Sequence, residues 1–196
     1  APGLRWPLDY GDRAAEAEAV RSAAGLLDWG PLKKVVVQGA GTAAALGGAG
    51  LQFGPGVIVI QIAGGAKLHV WGVAPDEAIL LFRHDIPLPA IAARRASAVD
   101  VGSALTALRL IGPEARNIVA ELCPEDLGHS ALHDLHVVQA PVANVRVTFA
   151  RQDMPAVPAF TMLVPRDYAA YLWDALMQTG APHGLMPVGN HLTPDE

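Results

Sequence analysis

Apolar residues in this chain alternate with polar ones or run in short unbroken blocks, and glycine or proline closes most of the blocks. Strands are predicted at 35–38, 68–71, 107–111 and 145–149, where the pattern has the period and length of sheet members. Residues 13–24 are rich in Ala and Glu, follow Asp12 as an N-cap and stop at Gly25, which predicts a surface helix. Residues 166–179 predict a second helix: Tyr168, Tyr171, Leu172, Ala175 and Leu176 form a stripe at i, i+3, i+4, i+7 and i+8, facing a sheet, with Gly180 as the stop. A further helix is expected near 89–98, and loops at 47–56 and 151–160, which are rich in Gly or Pro.

The pattern occurs twice. "LLDWGPLKKVVVQGAGTAAAL" (26–46) and "AVDVGSALTALRLIGPEARNIVAEL" (98–122) share an Asp-x-Gly, an apolar strand and a Gly that opens a short helix. Asp28 matches Asp100, Gly30 matches Gly102 and, with one inserted residue, Gly39 matches Gly112. The expected architecture is an internally duplicated α+β domain spanning 1–196, with pseudo-repeats at about 26–98 and 99–180, two interlocked mixed or antiparallel sheets and flanking helices. No long linker separates the copies, so they should share one core.

The duplication decides how "VVVQGAGTAAAL" is read. Gly39, Gly41 and Ala44 have the spacing of a dinucleotide-binding turn. The second copy has "IGPEA" at the same place, where Glu114 would repel a phosphate, and the strand at 57–60 ends in Gln61, without an acid for a ribose hydroxyl. Gly39 and Gly112 therefore read as the turn glycines that a strand-to-helix unit needs.

Composition narrows the class. No apolar run reaches the length of a membrane span, so no transmembrane helix is expected. The net charge of −5 comes without a basic stripe, which argues against nucleic acid as a partner. Cys123 is the single cysteine; it cannot form an internal disulfide and reads as structural. The start, "APGLRWPLDYGDR", lacks a signal-peptide layout, so the cytoplasm is the expected location.

"YGDRAAEAEAVRSAAGLLDWGPLKKVVVQG" resembles the opening of the glycine-cleavage T-protein (aminomethyltransferase) superfamily, a helix followed by "GLFDVSHMG", a strand and Gly. "YAAYLWDALMQTGAPHGLMPVG" is similar to a later stretch of that family. "DVGSALTALRLIGPEARNIVAELCPEDL" looks closest to the gamma subunit of heterotetrameric sarcosine oxidase, which belongs to the same superfamily. The resemblance implies a folate-binding-type domain, tetrahydrofolate as its cofactor and a cleft between the halves as the site. Against the family's "R-T-G-Y-T-G-E-x-G-F-E", this chain has "RQDMPAVPAFT": Arg151 keeps the arginine, while Val157 and Thr161 replace the two glutamates that help hold the pterin. The family's "V-V-N-A-S-N" falls on "LLFRHD", leaving Asp85 at the second Asn. Beyond the position of Gly189 the family continues into an arginine-bearing strand and a barrel domain. With these carboxylates replaced, the resemblance implies a noncatalytic gamma-type subunit working with one or more flavoprotein subunits in amine demethylation, or alternatively a tetrahydrofolate-binding carrier or transferase.

Arg83, Asp85 and Arg151 are the polar groups expected near such a folate cleft, the arginines for a glutamyl tail and Asp85 as a pterin acceptor. No catalytic residue is assigned. His129, His133 and His136 have a spacing compatible with a metal on a helix, but Gly128 favours a loop with solvated histidines, and no metal site is assigned. His84 and Asp85 would need a turn to act as a base and its orienting carboxylate, because neighbours on a strand face opposite ways. Trp6, Trp29, Trp71 and Phe53 are candidate interface anchors, with core burial the expected fate of most.

Overall fold

The computed structural model of the protein describes residues 7–63, 66–83, 85–86, 90–91, 94–125, 127, 132–155 and 157–193. Among them the order is α1 (Arg13–Ser22), β1 (Ala24–Asp28), β2 (Lys33–Gln38), α2 (Thr42–Gly48), β3 (Ile58–Ala63), β4 (Ala66–Ala74) and β5 (Glu77–Phe82). It continues with β6 (Ser97–Asp100), β7 (Leu105–Ile111), α3 (Ala115–Leu122), β8 (His136–Val142), β9 (Val145–Arg151), β10 (Ala159–Pro165), α4 (Ala169–Gly180) and β11 (Leu185–Pro187). This is an α+β fold with two sheets, ordered β11-β1-β7-β10-β9-β8 and β3-β4-β5-β2-β6. All pairs are antiparallel except β1 with β11. Among the described residues no helix is long and apolar enough to cross a membrane.

β1 pairs in the sheet of the later strands β7–β11, and β6 pairs in the sheet of the earlier strands β2–β5. β1 lies on β7 with Gly25 opposite Ile111 and Asp28 opposite Leu108, and β6 lies on β2 with Ser97 opposite Gln38 and Asp100 opposite Val35. The two registers are equivalent under the match of Asp28 with Asp100 and Gly39 with Gly112. Both aspartates make the same turn, their Oδ1 accepting from the Gly30 and Gly102 N–H at 2.8 and 2.9 Å. An Asp at this place bonds its own backbone two residues on and ends the strand, and the chain then crosses to the neighbouring sheet.

Period-two alternation divides the central strands between two cores. Leu108, Leu110, Phe160 and Met162 face α3 and α4, where Ile118, Val119, Leu172 and Leu176 cover them. Val35, Val37, Val70 and Leu80 face α2. Leu27, Trp29, Trp71, Leu81, Ala107, Ile111 and Leu163 fill the space between the sheets. Burying each such leucine or valine contributes about 1.5 to 3 kcal/mol, and loss of either outer core would strip one whole sheet face. Trp29 and Trp71 are fully buried, so neither is an interface anchor; Phe53 packs partly buried on the α2 side, and Trp6 lies outside the described residues.

Several elements differ from the sequence expectation. α1 ends at Ser22, and Gly25 lies inside β1, where an added Cβ would come within 2.8 Å of both Val20 and Val188. Glycine there lets α1 fold back tightly onto the strand, and Glu16, Ala19 and Val20 of this expected surface helix are buried. Residues 97–98 of the expected 89–98 helix belong to β6, because the open edge of β2 captures them; 89, 92 and 93 lie outside the described residues. In α4, Leu172 and Leu176 are buried as expected, whereas Tyr168 and Tyr171 are half exposed and the Tyr171 hydroxyl donates to the Ala143 carbonyl at 3.1 Å.

Candidate functional site

The Gly39 and Gly112 turns are filled by protein backbone. Their φ angles are +122° and +128°, a region open to glycine at little cost. A Cβ on Gly112 would sit 2.5 Å from the Ala23 carbonyl oxygen, and one on Gly39 would run into that of Arg95. The Gly41 N–H donates to Arg95 O and the Glu114 N–H to Ala23 O, both at 3.0 Å. The space a pyrophosphate would need is taken by backbone about to enter β1 at Gly112 and β6 at Gly39, and the glycines serve that crossing.

Arg83, Asp85 and Arg151 engage locally. Arg83 donates to Asp85 through Nε (3.1 Å) and Nη2 (2.8 Å) on an exposed turn beyond β5. Arg151, at the end of β9, donates to Asp153 Oδ2 through Nη2 at 2.7 Å and to Leu132 O through Nη1 at 2.9 Å. The Asp153 carboxylate raises the pKa of that guanidinium. Asp153 Oδ1 also accepts from the Ala159 N–H at 3.1 Å, so Arg151 clamps the segment entering β10. His84 and His129 lie outside the described residues. His133 and His136 rings stand 5.6 Å apart edge to face, His136 Nδ1 lies 2.9 Å from Asp134 O, and no group of three or more metal-ligating side chains occurs among the described residues.

A polar layer inside the inter-sheet core was not legible in the sequence. Arg109 of β7 and Thr161 of β10 are directly opposed and buried. The Arg109 guanidinium lies 4.2 Å from the Trp29 ring centroid and donates from Nη2 to Gln152 O at 3.2 Å. Gln152 Oε1 lies 3.0 Å from Nδ1 of buried His69, whose ring meets Trp29 edge-on. Thr161 Oγ1 makes no hydrogen bond to described residues. The alternation of "LTALRLI" sets Arg109 on the face of Ala107 and Ile111, and that inward phase is the signal that could have revealed it.

The two family acidic positions offer a pterin no carboxylate in this chain. A pterin's N–H donors need a carboxylate acceptor, and Thr161, one of the family's two acidic positions, stands beside a buried cation. The other, Val157, has no acceptor to offer. Among the described residues Glu16 is the only fully buried carboxylate, and it is engaged elsewhere: its oxygens accept from the Tyr10 N–H at 2.6 Å and the Gly189 N–H at 2.8 Å.

Two titratable groups brace this framework. His183 places Nδ1 3.1 Å from Glu114 and Nε2 2.8 Å from Glu121, joining the segment after α4 to α3; the bonds to Glu121 and then Glu114 raise its pKa. Lys34, fully buried, donates from Nζ to Gly30 O at 2.7 Å and Leu32 O at 2.8 Å. Burial above all, with nearby Arg166, pushes its pKa from 10.5 to about 8. A neutral amine still carries two N–H groups for the two carbonyls. Since the folded pKa lies below the unfolded one, the unfolded chain binds more protons between them, and stability rises with pH across that window. The unfolding free energy should climb between pH 8 and about 10 by about 2 to 3 kcal/mol relative to Lys34→Met. Denaturant titrations at a series of pH values check this, and parallel curves for the two proteins would refute it.

The model of the GCVT N-terminal domain family matches residues 76–193. An aminomethyltransferase of Saccharopolyspora erythraea is 29% identical over 95% of this chain and 55% of its own length, and one of Streptomyces avermitilis is 30% identical over 95% and 54%. The chain thus spans about half the length of these curated relatives. Among solved structures, a chain of the heterotetrameric sarcosine oxidase from Corynebacterium sp. U-96 superposes with a TM-score of 0.72 at 19% identity, covering 92% of this chain and 96% of that one. The glycine cleavage system aminomethyltransferase T from Bartonella henselae gives 0.75 at 20%, covering 96% and 54%.

Proposed function

This chain belongs to the family of the GCVT N-terminal domain, and on that premise we propose that it is a noncatalytic, gamma-type subunit of a flavin-dependent amine demethylase of the sarcosine oxidase kind. The observation that carries the reading is Thr161 beside buried Arg109: the folate-type framework is kept while the place for an acceptor carboxylate holds a hydroxyl and a cation. On this reading the halves 26–98 and 99–180 are copies of one unit, intertwined in a single domain that serves assembly rather than one-carbon transfer. Arg83 with Asp85, and Arg151 with Asp153, then act as local braces, and a soluble cytoplasmic complex with flavoprotein subunits is the expected setting.

The alternative, a tetrahydrofolate-binding carrier or transferase, predicts something different of the isolated chain. Calorimetric titration with tetrahydrofolate is expected to give no binding heat, and the chain purified from its source cells should bring a flavoprotein with which an N-methyl amine is oxidised. Micromolar tetrahydrofolate binding that is lost in an Arg151→Ala, Asp85→Ala double variant would reverse the choice between the two readings.

A further inference from the structure

On the helix side of the six-stranded sheet a cleft of about 300 Å³ opens between the end of β1, the start of β7 and the first turn of α4. It lies apart from the inter-sheet layer, and neither the partner reading nor the folate framework assigns it a role. Asp28 and Arg166 both line it, with Tyr10 and Trp173 as aromatic walls and Ala169 and Ala170 leaving room at the helix start. Among the described residues no ion pair joins the two charges. Asp28 Oδ1 accepts from the Gly30 N–H, and Arg166 donates Nε to Ser103 O (2.9 Å) and Nη2 to Gly102 O (2.8 Å), which leaves Asp28 Oδ2 and Arg166 Nη1 without such bonds.

The internal symmetry shows what is unusual here. Asp100, the counterpart of Asp28, has a cation 3.8 Å away, Lys33 Nζ. The residue of β7 equivalent to Lys33 is Thr106, a hydroxyl at the cleft floor. Gly30 lets that hydroxyl and the carboxylate stand together, since a Cβ there would come within 2.6 Å of Thr106 Oγ1 and 2.7 Å of Asp28 Oδ1. On the opposite side, a short 3-10 turn over Arg166–Tyr168 runs directly into α4 and the Ala169 N–H donates back to the Arg166 carbonyl, so the Arg166 guanidinium is the positive group of this wall.

From this geometry we infer that the cleft binds a small zwitterion of the α-amino acid class, its ammonium on Asp28 and Thr106 and its carboxylate on Arg166. A carboxylate there gains a charge-assisted bond. The ammonium meets a carboxylate that has no counterpart of Lys33 within ion-pair distance, the nearby Lys34 ammonium being held on the Gly30 and Leu32 carbonyls, and Trp173 and Tyr10 can face it. A ligand of a few heavy atoms suits a volume at the lower end for small-molecule sites.

The test is a chemical-shift titration of the full chain with glycine and L-alanine, following the Trp173 indole, beside acetate and methylamine as half-ligands. Both amino acids are expected to shift Trp173 and to bind about tenfold or more tightly than either half-ligand. Asp28→Asn and Thr106→Lys should each weaken binding about tenfold or more. The first keeps an oxygen for the Gly30 N–H, and the second copies the Lys33 arrangement that the fold already tolerates, so both should remain folded by circular dichroism. Absence of any Trp173 shift with the wild-type chain, half-ligands that bind as well as glycine, or full binding by folded Thr106→Lys would overturn the assignment.

Discussion

Gly112→Ala is expected to lower the unfolding free energy by about 3 to 5 kcal/mol, and Gly39→Ala by a comparable amount, because each adds two costs at once. The first is the left-handed backbone, with φ of +128° and +122°. The second is steric. The new methyl group would press on a carbonyl oxygen of the backbone leading into the crossing strand, Ala23 before β1 for Gly112 and Arg95 before β6 for Gly39. Neither obstacle is a flexible side-chain tip, so relief means moving β1 or β6 out of register. Gly47→Ala makes the control: it lies in α2, its φ is ordinary and an added Cβ meets nothing within 4 Å. That change should be neutral or stabilising by up to about 1 kcal/mol. Urea titrations of the three variants give the comparison directly, and a Gly112→Ala protein within about 0.5 kcal/mol of wild type would contradict the close packing described for the crossing.

Glu16→Ala should cost about 2 to 5 kcal/mol, more than its place on an Ala- and Glu-rich helix suggests. Both carboxylate oxygens accept backbone N–H groups, from Tyr10 before the helix and Gly189 near the other end of the chain, and His191 Nδ1 lies 3.4 Å from Oε2. Removing the side chain strands two N–H groups in a site without water access to the carboxylate. Glu16→Gln is the more telling variant. One of its two terminal groups is itself a donor and must face an N–H, so it should recover only part of the loss. Equal stability of the Gln variant and wild type would show that one of the two acceptor contacts contributes nothing.

Signals that act over a few residues were legible in the sequence. Asp28 with Gly30 and Asp100 with Gly102 make the same local turn, and Gly39 and Gly112 take similar φ, as the matching short motifs of the sequence lead one to expect. Which sheet a strand joins was not legible, because β1 and β6 would show the same apolar pattern in either partner sheet. Arg151, which the resemblance set beside a folate cleft, lies at the end of β9, where Asp153 two residues on takes up its guanidinium. Arg109 carries no short-range signal of its own, and only its phase with Ala107 and Ile111 turns it inward over Trp29. Glu16 was illegible for a different reason: the Gly189 N–H it holds is 173 positions away in sequence.

The exchange of first strands also shapes how this chain can reach its folded state. β1 finds its neighbours only in β7 and β11, so the earliest strand waits for chain that is synthesised much later. Pairings of this span carry a high loop-closure cost before they yield any contact, which makes for slow folding at a given stability. Neither half can finish its sheet alone: the first lacks β6 for the edge of β2, and the second lacks β1 to separate β7 from solvent. A nascent first half therefore emerges with an open strand edge along β2, a surface on which a second nascent chain could be captured as readily as the chain's own β6.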